Sequence, residues 1–312
     1  MISRKSRYDI RELALGLSLN EYLKHMGFNP FPWQTAIAND SSKRVILLCS
    51  RQAGKSTFVS SIPCHTAKYQ PGSLSLIIAP TEDQAIEDVI KVKNFIAHDP
   101  TYPRLVRNGS DYIELANKSR IIIVVATDTA ARGYSKPRVV MLDEASRIPD
   151  IVYKSGVIPM MTNNPDGRIY MLSTPFGQAG FFYETWANKP NWSKYFVRTP
   201  WTVNPDDPFH VYPLCTEQEF KAQFNGSGIH AFFSPNHSNY EIECGNLSEQ
   251  GIVQYQQEFC CDFVEMNGQV FSYEDMNRFF GEDQRTMPMP VHGDLGMAAG
   301  ALVPKAVGGK YF

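Results

Sequence analysis

The chain has 312 residues, 43% hydrophobic and 20% charged, so it can bury a sizeable core and is neither a disordered tail nor a low-complexity fibre. A formal net charge of −2 excludes binding to nucleic acid by bulk charge and leaves only a local basic face for that role. Six scattered cysteines without a Cys-x-x-Cys pair, and no apolar run of membrane-spanning length, argue for a reducing compartment and against a disulfide scaffold or a membrane helix.

The start, Met1 to Arg7, is basic but leads into no apolar core, so it does not read as a secretory signal. Residues 8 to 28 carry a three-to-four-residue apolar period that predicts one helix stopped at Gly27. After the turn at 28–32, Trp33-Gln34 opens a short helix running to about Asn39. An aromatic beside an amide, ahead of a phosphate loop, can hold a nucleobase: Trp33 by stacking, Gln34 by pairing with the adenine edge. The alternative is a helix start with Trp33 packed in the core.

The apolar run Val45-Ile46-Leu47-Leu48 reads as a buried strand, and Cys49-Ser50-Arg51-Gln52-Ala53-Gly54-Lys55-Ser56-Thr57 follows it. A strand, a tight loop with Gly-Lys-Ser and a helix start make a phosphate cradle, because free backbone N–H groups and the helix dipole both favour an anion there. Lys55 is placed for the terminal phosphates of a nucleotide and the Ser56 hydroxyl for Mg²⁺. The full phosphate-loop pattern has glycine where this chain has Cys49.

From Ser56 to about Tyr69 a helix is expected, interrupted at Pro63. Residues 74–80 read as a short buried strand, and Thr81-Glu82-Asp83-Gln84 is a capping box that opens an amphipathic helix. Alternation over 111–115 and a continuous apolar run over 120–126, joined at Asn117-Lys118-Ser119, predict a hairpin whose second strand is central. A polar loop holding Arg132 leads to the strand 138–142, which runs into Asp143-Glu144. In that position the first carboxylate binds Mg²⁺ and the second polarises the attacking water. A helix over 151–161 is followed by the strand 168–172, ending in Ser173-Thr174-Pro175. At the carboxyl edge of a parallel sheet these hydroxyls can sense a γ-phosphate. A helix over 181–188, a strand over 192–197, and helical pieces near 217–224 and 248–259 complete the pattern. Cys215, His230, His237 and Cys244 have separations too wide and irregular for a zinc finger.

Alternating strands and helices predict an α/β fold with a mainly parallel central sheet flanked by helices. A glutamate directly after the metal aspartate marks a phosphate-loop NTPase of the additional-strand, catalytic-glutamate type. Residues 1–204 form the expected ATPase core, 205–268 a small lid or linker subdomain, and 269–312 a linker with the start of a possible further domain. Hydrolysis also needs a cation on the γ-phosphate in the transition state, a contribution of roughly 4–7 kcal/mol. Arg51 and Arg132 are the two candidates.

These features in this order resemble the large subunit of the viral DNA-packaging terminases of tailed bacteriophages. Trp33-Gln34 looks like its adenine motif, Ser50 to Thr57 its deviant phosphate loop with an internal arginine, and Val139 to Glu144 its acidic strand. Leu172-Ser173-Thr174-Pro175 resembles its coupling motif. Ala131-Arg132-Gly133 lies where some members carry an arginine finger that reaches the neighbouring subunit. The resemblance implies an ATP- and Mg²⁺-dependent motor that pushes double-stranded DNA into a procapsid. Its implied partners are the portal protein, the small terminase subunit and further copies of itself in a ring on the portal. Its implied location is the bacterial host cytoplasm, with no membrane involvement, and transiently the procapsid. Gly293-Asp294-Leu295-Gly296 looks like the start of the family's nuclease domain, without the remaining acidic residues, so nuclease activity is not expected. A superfamily-2 helicase-like translocase is the alternative, but it needs a second motor domain, and the stretch after Pro175 is short and poor in apolar strands. A non-hydrolysing nucleotide-binding scaffold is disfavoured by Glu144.

Overall fold

The computed structural model describes residues 10–127, 133–204, 211–234 and 249–264. Apolar runs fully buried on both faces become the middle of a sheet, as a parallel core requires. The strands are β1 (Arg44–Cys49), β2 (Leu74–Ala79), β3 (Leu105–Asn108), β4 (Tyr112–Leu115), β5 (Arg120–Val125), β6 (Val139–Asp143), β7 (Arg168–Ser173), β8 (Ser193–Arg198) and β11 (Ile229–Phe233). They form one nine-stranded sheet in the order β11-β8-β1-β7-β6-β2-β5-β4-β3. All pairings are parallel except β3–β4 and β4–β5. A separate two-stranded ribbon pairs β9 (Trp201–Val203) with β10 (Val211–Pro213).

Side-chain alternation along β1 splits the core in two. Val45 and Leu47 face one helical layer, built from α1 (Ile10–Leu17), α2 (Leu19–His25), α3 (Pro32–Ala38), α4 (Lys55–Tyr69) and α5 (Glu82–His98). Ile46 and Leu48 face the other, where α8 (Gly180–Asn188) brings Phe181 and Trp186 and α9 (Glu217–Gln223) brings Phe220. Each such side chain taken fully from water contributes about 1.5–3 kcal/mol, so this double face anchors β1 and the loop that leaves it. β11, within the stretch expected to form the lid, adds to the central sheet beside β8. A further helix, α10 (Glu249–Glu258), precedes the last described residues.

Several local expectations are corrected. The helix predicted over 8–28 is two helices, because Ser18 leaves helical geometry and caps α2, its hydroxyl accepting the N–H of Glu21. Pro63 does not interrupt α4. It removes only its own N–H, and the buried turn around it is held by packing and by the Ser60 and Ser61 hydroxyls, which donate to carbonyls of the preceding turn. The helix expected over 151–161 is α6 (Asp150–Val152), a π turn (Tyr153–Val157) and α7 (Ile158–Thr162) in succession. β3, short and largely exposed, was not predicted and extends the hairpin β4–β5 by an antiparallel strand.

Candidate active site

The loop after β1 is built from below. Trp33 is 1% exposed; its indole N–H donates to the Ala53 carbonyl at 3.1 Å, and its ring meets Phe58 edge-on. Gln34 donates from Nε2 to the Gly54 carbonyl at 3.0 Å and accepts the Phe31 N–H on Oε1 at 2.8 Å. The base-stacking expectation for Trp33 is therefore corrected in this geometry. The indole presents no open face, both ends of the Gln34 amide are engaged, and the pair braces the loop. Gly54 has φ 93°, and a Cβ there would lie 2.9 Å from the Phe31 ring, so glycine is required on both counts. Gln52 takes the left-handed conformation as well, at φ 58°.

The far side of the loop is tied to the end of α10. Ser50 N–H donates to the Val197 carbonyl and Arg51 N–H to the Glu258 carbonyl, both at 2.7 Å. The Arg51 guanidinium lies 3.6 Å from one Glu258 oxygen, and Arg147 lies 3.6 Å from the other. Arg147 also stacks over the Phe176 ring at 4.4 Å. Thus two arginines, one from the loop and one just beyond the acidic pair, share one buried carboxylate. Ser56 and Thr57 stand exposed at the start of α4.

The acidic strand β6 is not adjacent to β1. β7 lies between them, with Leu48 opposite Ser173 and Asp143 opposite Leu172. This interposed strand carries the coupling residues into the gap. Lys55 Nζ lies 2.5 Å from Glu144 Oε1, and Ser173 Oγ donates to Glu144 Oε2 at 3.3 Å. Ser146 links the two segments: its hydroxyl is 2.7 Å from Ser173 Oγ and donates to the Thr174 carbonyl at 2.9 Å. Ser173 and Thr174 are buried. Glu144 itself sits at φ 47°, ψ 47°, a left-handed backbone rarely taken by glutamate.

Electrostatics follow the geometry. Burial works against the Lys55 ammonium, but the neighbouring sulfur of Cys49 and the carboxylates of Glu144 and Asp143 outweigh it and hold the proton on. Burial would raise Glu144, but Lys55, Ser173 and Arg147 pull its pKa below the usual carboxylate value. Asp143 is raised, first by burial and then by the charge of Asp88. Its Oδ2 accepts from Gln84 Nε2 at 3.1 Å, while Oδ1 is buried without a hydrogen-bond partner. An orphaned, buried carboxylate oxygen suits a hard divalent cation, and Ser56 stands exposed at the start of α4.

The structure thus brings Lys55, Asp143, Glu144, Ser173 and Thr174 to one edge of the sheet, with Arg51 in the loop that leads to Lys55. Arg132, His237, Cys244 and Asp294 lie outside the described residues. Of the zinc candidates described, His230 stacks on Tyr195 and Cys215 accepts from Gln223, and no metal-ligating cluster of three or more such residues exists among the described residues. Sequence reasoning missed Gln84, Ser146, Arg147 and Glu258. Only Ser146 and Arg147 carried a signal, their closeness to the acidic pair.

A phosphate loop on β1, an acidic pair ending β6 and a strand between them define a phosphate-loop NTPase fold of the additional-strand type. The chain matches no family model. Among known proteins it is similar to the large terminase subunit of Thermus phage G20c, at 29% identity over 183 residues. It is likewise similar to that of Thermus virus P23-45, at 30% identity over 188 residues. Each match covers 53% of this chain and 37% of the relative, so the chain spans well under half of the curated relatives it matches. The ATPase domain of the Thermus phage P74-26 large terminase superposes with a TM-score of 0.55 at 20% identity, covering 78% of this chain and 98% of that one. The HK97 bacteriophage large terminase gives 0.56 at 12% identity, over 75% of this chain and 51% of that one. The resemblance to terminase large subunits thus rests on both sequence and fold.

Proposed function

We propose that this chain is the ATPase portion of a terminase large subunit, hydrolysing ATP to drive double-stranded DNA into a viral procapsid. The observation that carries the reading is the convergence of Lys55, Glu144 and Ser173 across the interposed strand β7. The nucleotide's phosphates are received by the loop 50–57 and the N-terminus of α4. Lys55 then exchanges its partner, from the Glu144 carboxylate to the terminal phosphates. That exchange leaves Glu144 ionised and able to take a proton from water attacking the γ-phosphate. Ser173, bonded to the same carboxylate, transmits the change to the Thr174 backbone through Ser146. Ser56 and the free Oδ1 of Asp143 would hold Mg²⁺, which supplies charge neutralisation of the phosphates. Arg51 or Arg132 supplies the remaining positive charge, in cis or from a neighbouring subunit.

The same reading makes the portal protein, the small terminase subunit and further copies of the chain its partners, in the host cytoplasm. No helix among the described residues is long and apolar enough to cross a membrane. The relatives favour a terminase over the helicase-like alternative. The test is a packaging assay in which portal-bearing procapsids, DNA, MgATP and this chain are combined. DNA that becomes nuclease-resistant only with ATP and with Glu144 intact supports the proposal. ATP hydrolysis with no protected DNA, in a mixture where an authentic motor packages, would remove the translocation role.

A further inference from the structure

Gln84 carries a signal the capping-box pattern concealed. Its backbone N–H donates to Thr81 Oγ1 at 3.3 Å, as a cap requires. Its side chain does not turn back to complete the box and instead donates to Asp143 Oδ2 at 3.1 Å, across 59 residues. Asp88, one turn further along α5, is close enough for its charge to raise Asp143. Asp88 is 0% exposed and Asp143 is 3% exposed. Lys91 closes the row, its Nζ 3.1 Å from Asp88 Oδ1. Gln84, Asp88 and Lys91 share one face of α5, spaced i, i+4, i+7. The result is asymmetric: Oδ2 of Asp143 is held, and Oδ1 is left without a partner.

We propose that Gln84 is a positioning residue for the metal-binding aspartate, fixing the Asp143 carboxylate so that Oδ1 is presented to the divalent cation that accompanies the nucleotide phosphates. This rests on the nucleotide-site reading given above. A neutral amide suits the task. It donates to the buried Asp143 carboxylate and adds no charge that would compete with the cation.

The test uses the full chain and a fluorescent ATP analogue, titrated with Mg²⁺ and, separately, held in EDTA. Gln84→Met keeps length and helix propensity while removing the donor. The Mg²⁺ concentration for half-maximal tightening rises about 10- to 100-fold, the usual effect of losing an outer partner of a metal ligand. Binding in EDTA stays within about twofold. Gln84→Glu, which puts a third carboxylate between Asp88 and Asp143, shows the same separation of effects. Unchanged Mg²⁺ dependence in both variants overturns the proposal, as does an equal loss in EDTA and in Mg²⁺. Lys55→Ala, run alongside, isolates the underlying reading: analogue binding that survives this change sinks the phosphate loop itself, whatever Gln84 does.

Discussion

The ammonium of Lys55 lies 2.5 Å from Oε1 of Glu144, joining the phosphate loop to the acidic strand across an intervening strand. Neither residue is free to do its proposed work while this pair stands. An incoming terminal phosphate resolves both at once, since it is the stronger partner for the lysine and its arrival releases the carboxylate. On the proposed reading, the pair ties release of the Glu144 carboxylate to the arrival of nucleotide.

For Glu144→Gln the expected result is a separation of binding from turnover. The amide still hydrogen-bonds Ser173 but cannot take a proton. Phosphate release falls by about 10²- to 10⁴-fold while analogue binding persists. Stopped-flow phosphate release beside equilibrium binding checks this, and normal hydrolysis by the variant would remove the catalytic role from Glu144.

Ser173→Ala removes the bond to Glu144 Oε2 and the contact with Ser146. A drop of about tenfold in turnover is expected, equivalent to about 1.4 kcal/mol, with nucleotide affinity unchanged. An equal loss in affinity would show that the serine supports the loop rather than the catalytic glutamate.

The Arg132 assignment predicts complementation. Arg132→Ala and Glu144→Ala proteins are each inactive, and mixed in an assembled ring they regain part of the hydrolysis, because one subunit supplies what its neighbour lacks. No recovery at any ratio assigns the charge to Arg51 in cis.

Away from the site, Asp99 predicts acid sensitivity. Burial opposes its charge, but bonds from Lys68, Tyr22 and Thr101 outweigh it and hold its pKa down to about 2 from 3.8. A carboxylate depressed on folding stabilises the fold fully above its unfolded pKa, and that stability is lost as pH falls from about 4 through 2. Asp99→Asn should cost about 2 kcal/mol at neutral pH and little near pH 2. Denaturant titrations at the two pH values measure the difference.

What the sequence showed and hid follows from the range of the interactions. β1, β6 and β7 were legible because each is an unbroken apolar run ending in chemistry, and a central parallel strand leaves no other pattern. The hairpin β4–β5 was legible from its turn. The break at Ser18 was hidden because apolar spacing continues through it, and β3 because four mostly exposed residues carry no period. Trp33 read more readily as core than as a base platform on position alone, since exposure is not written in residue type; its burial and its bond to Ala53 decide for the core. Gln84 was hidden because a local cap already explained it. Glu258 was hidden because nothing near it in the chain indicates the two arginines it meets.

The most direct test of the central claim is steady-state phosphate release from MgATP by the native chain and by Lys55→Ala, each across a range of protein concentration with portal and DNA present. The account predicts turnover by the native chain that rises steeply with concentration as subunits assemble, and background release from Lys55→Ala. Equal turnover by the two proteins would contradict it.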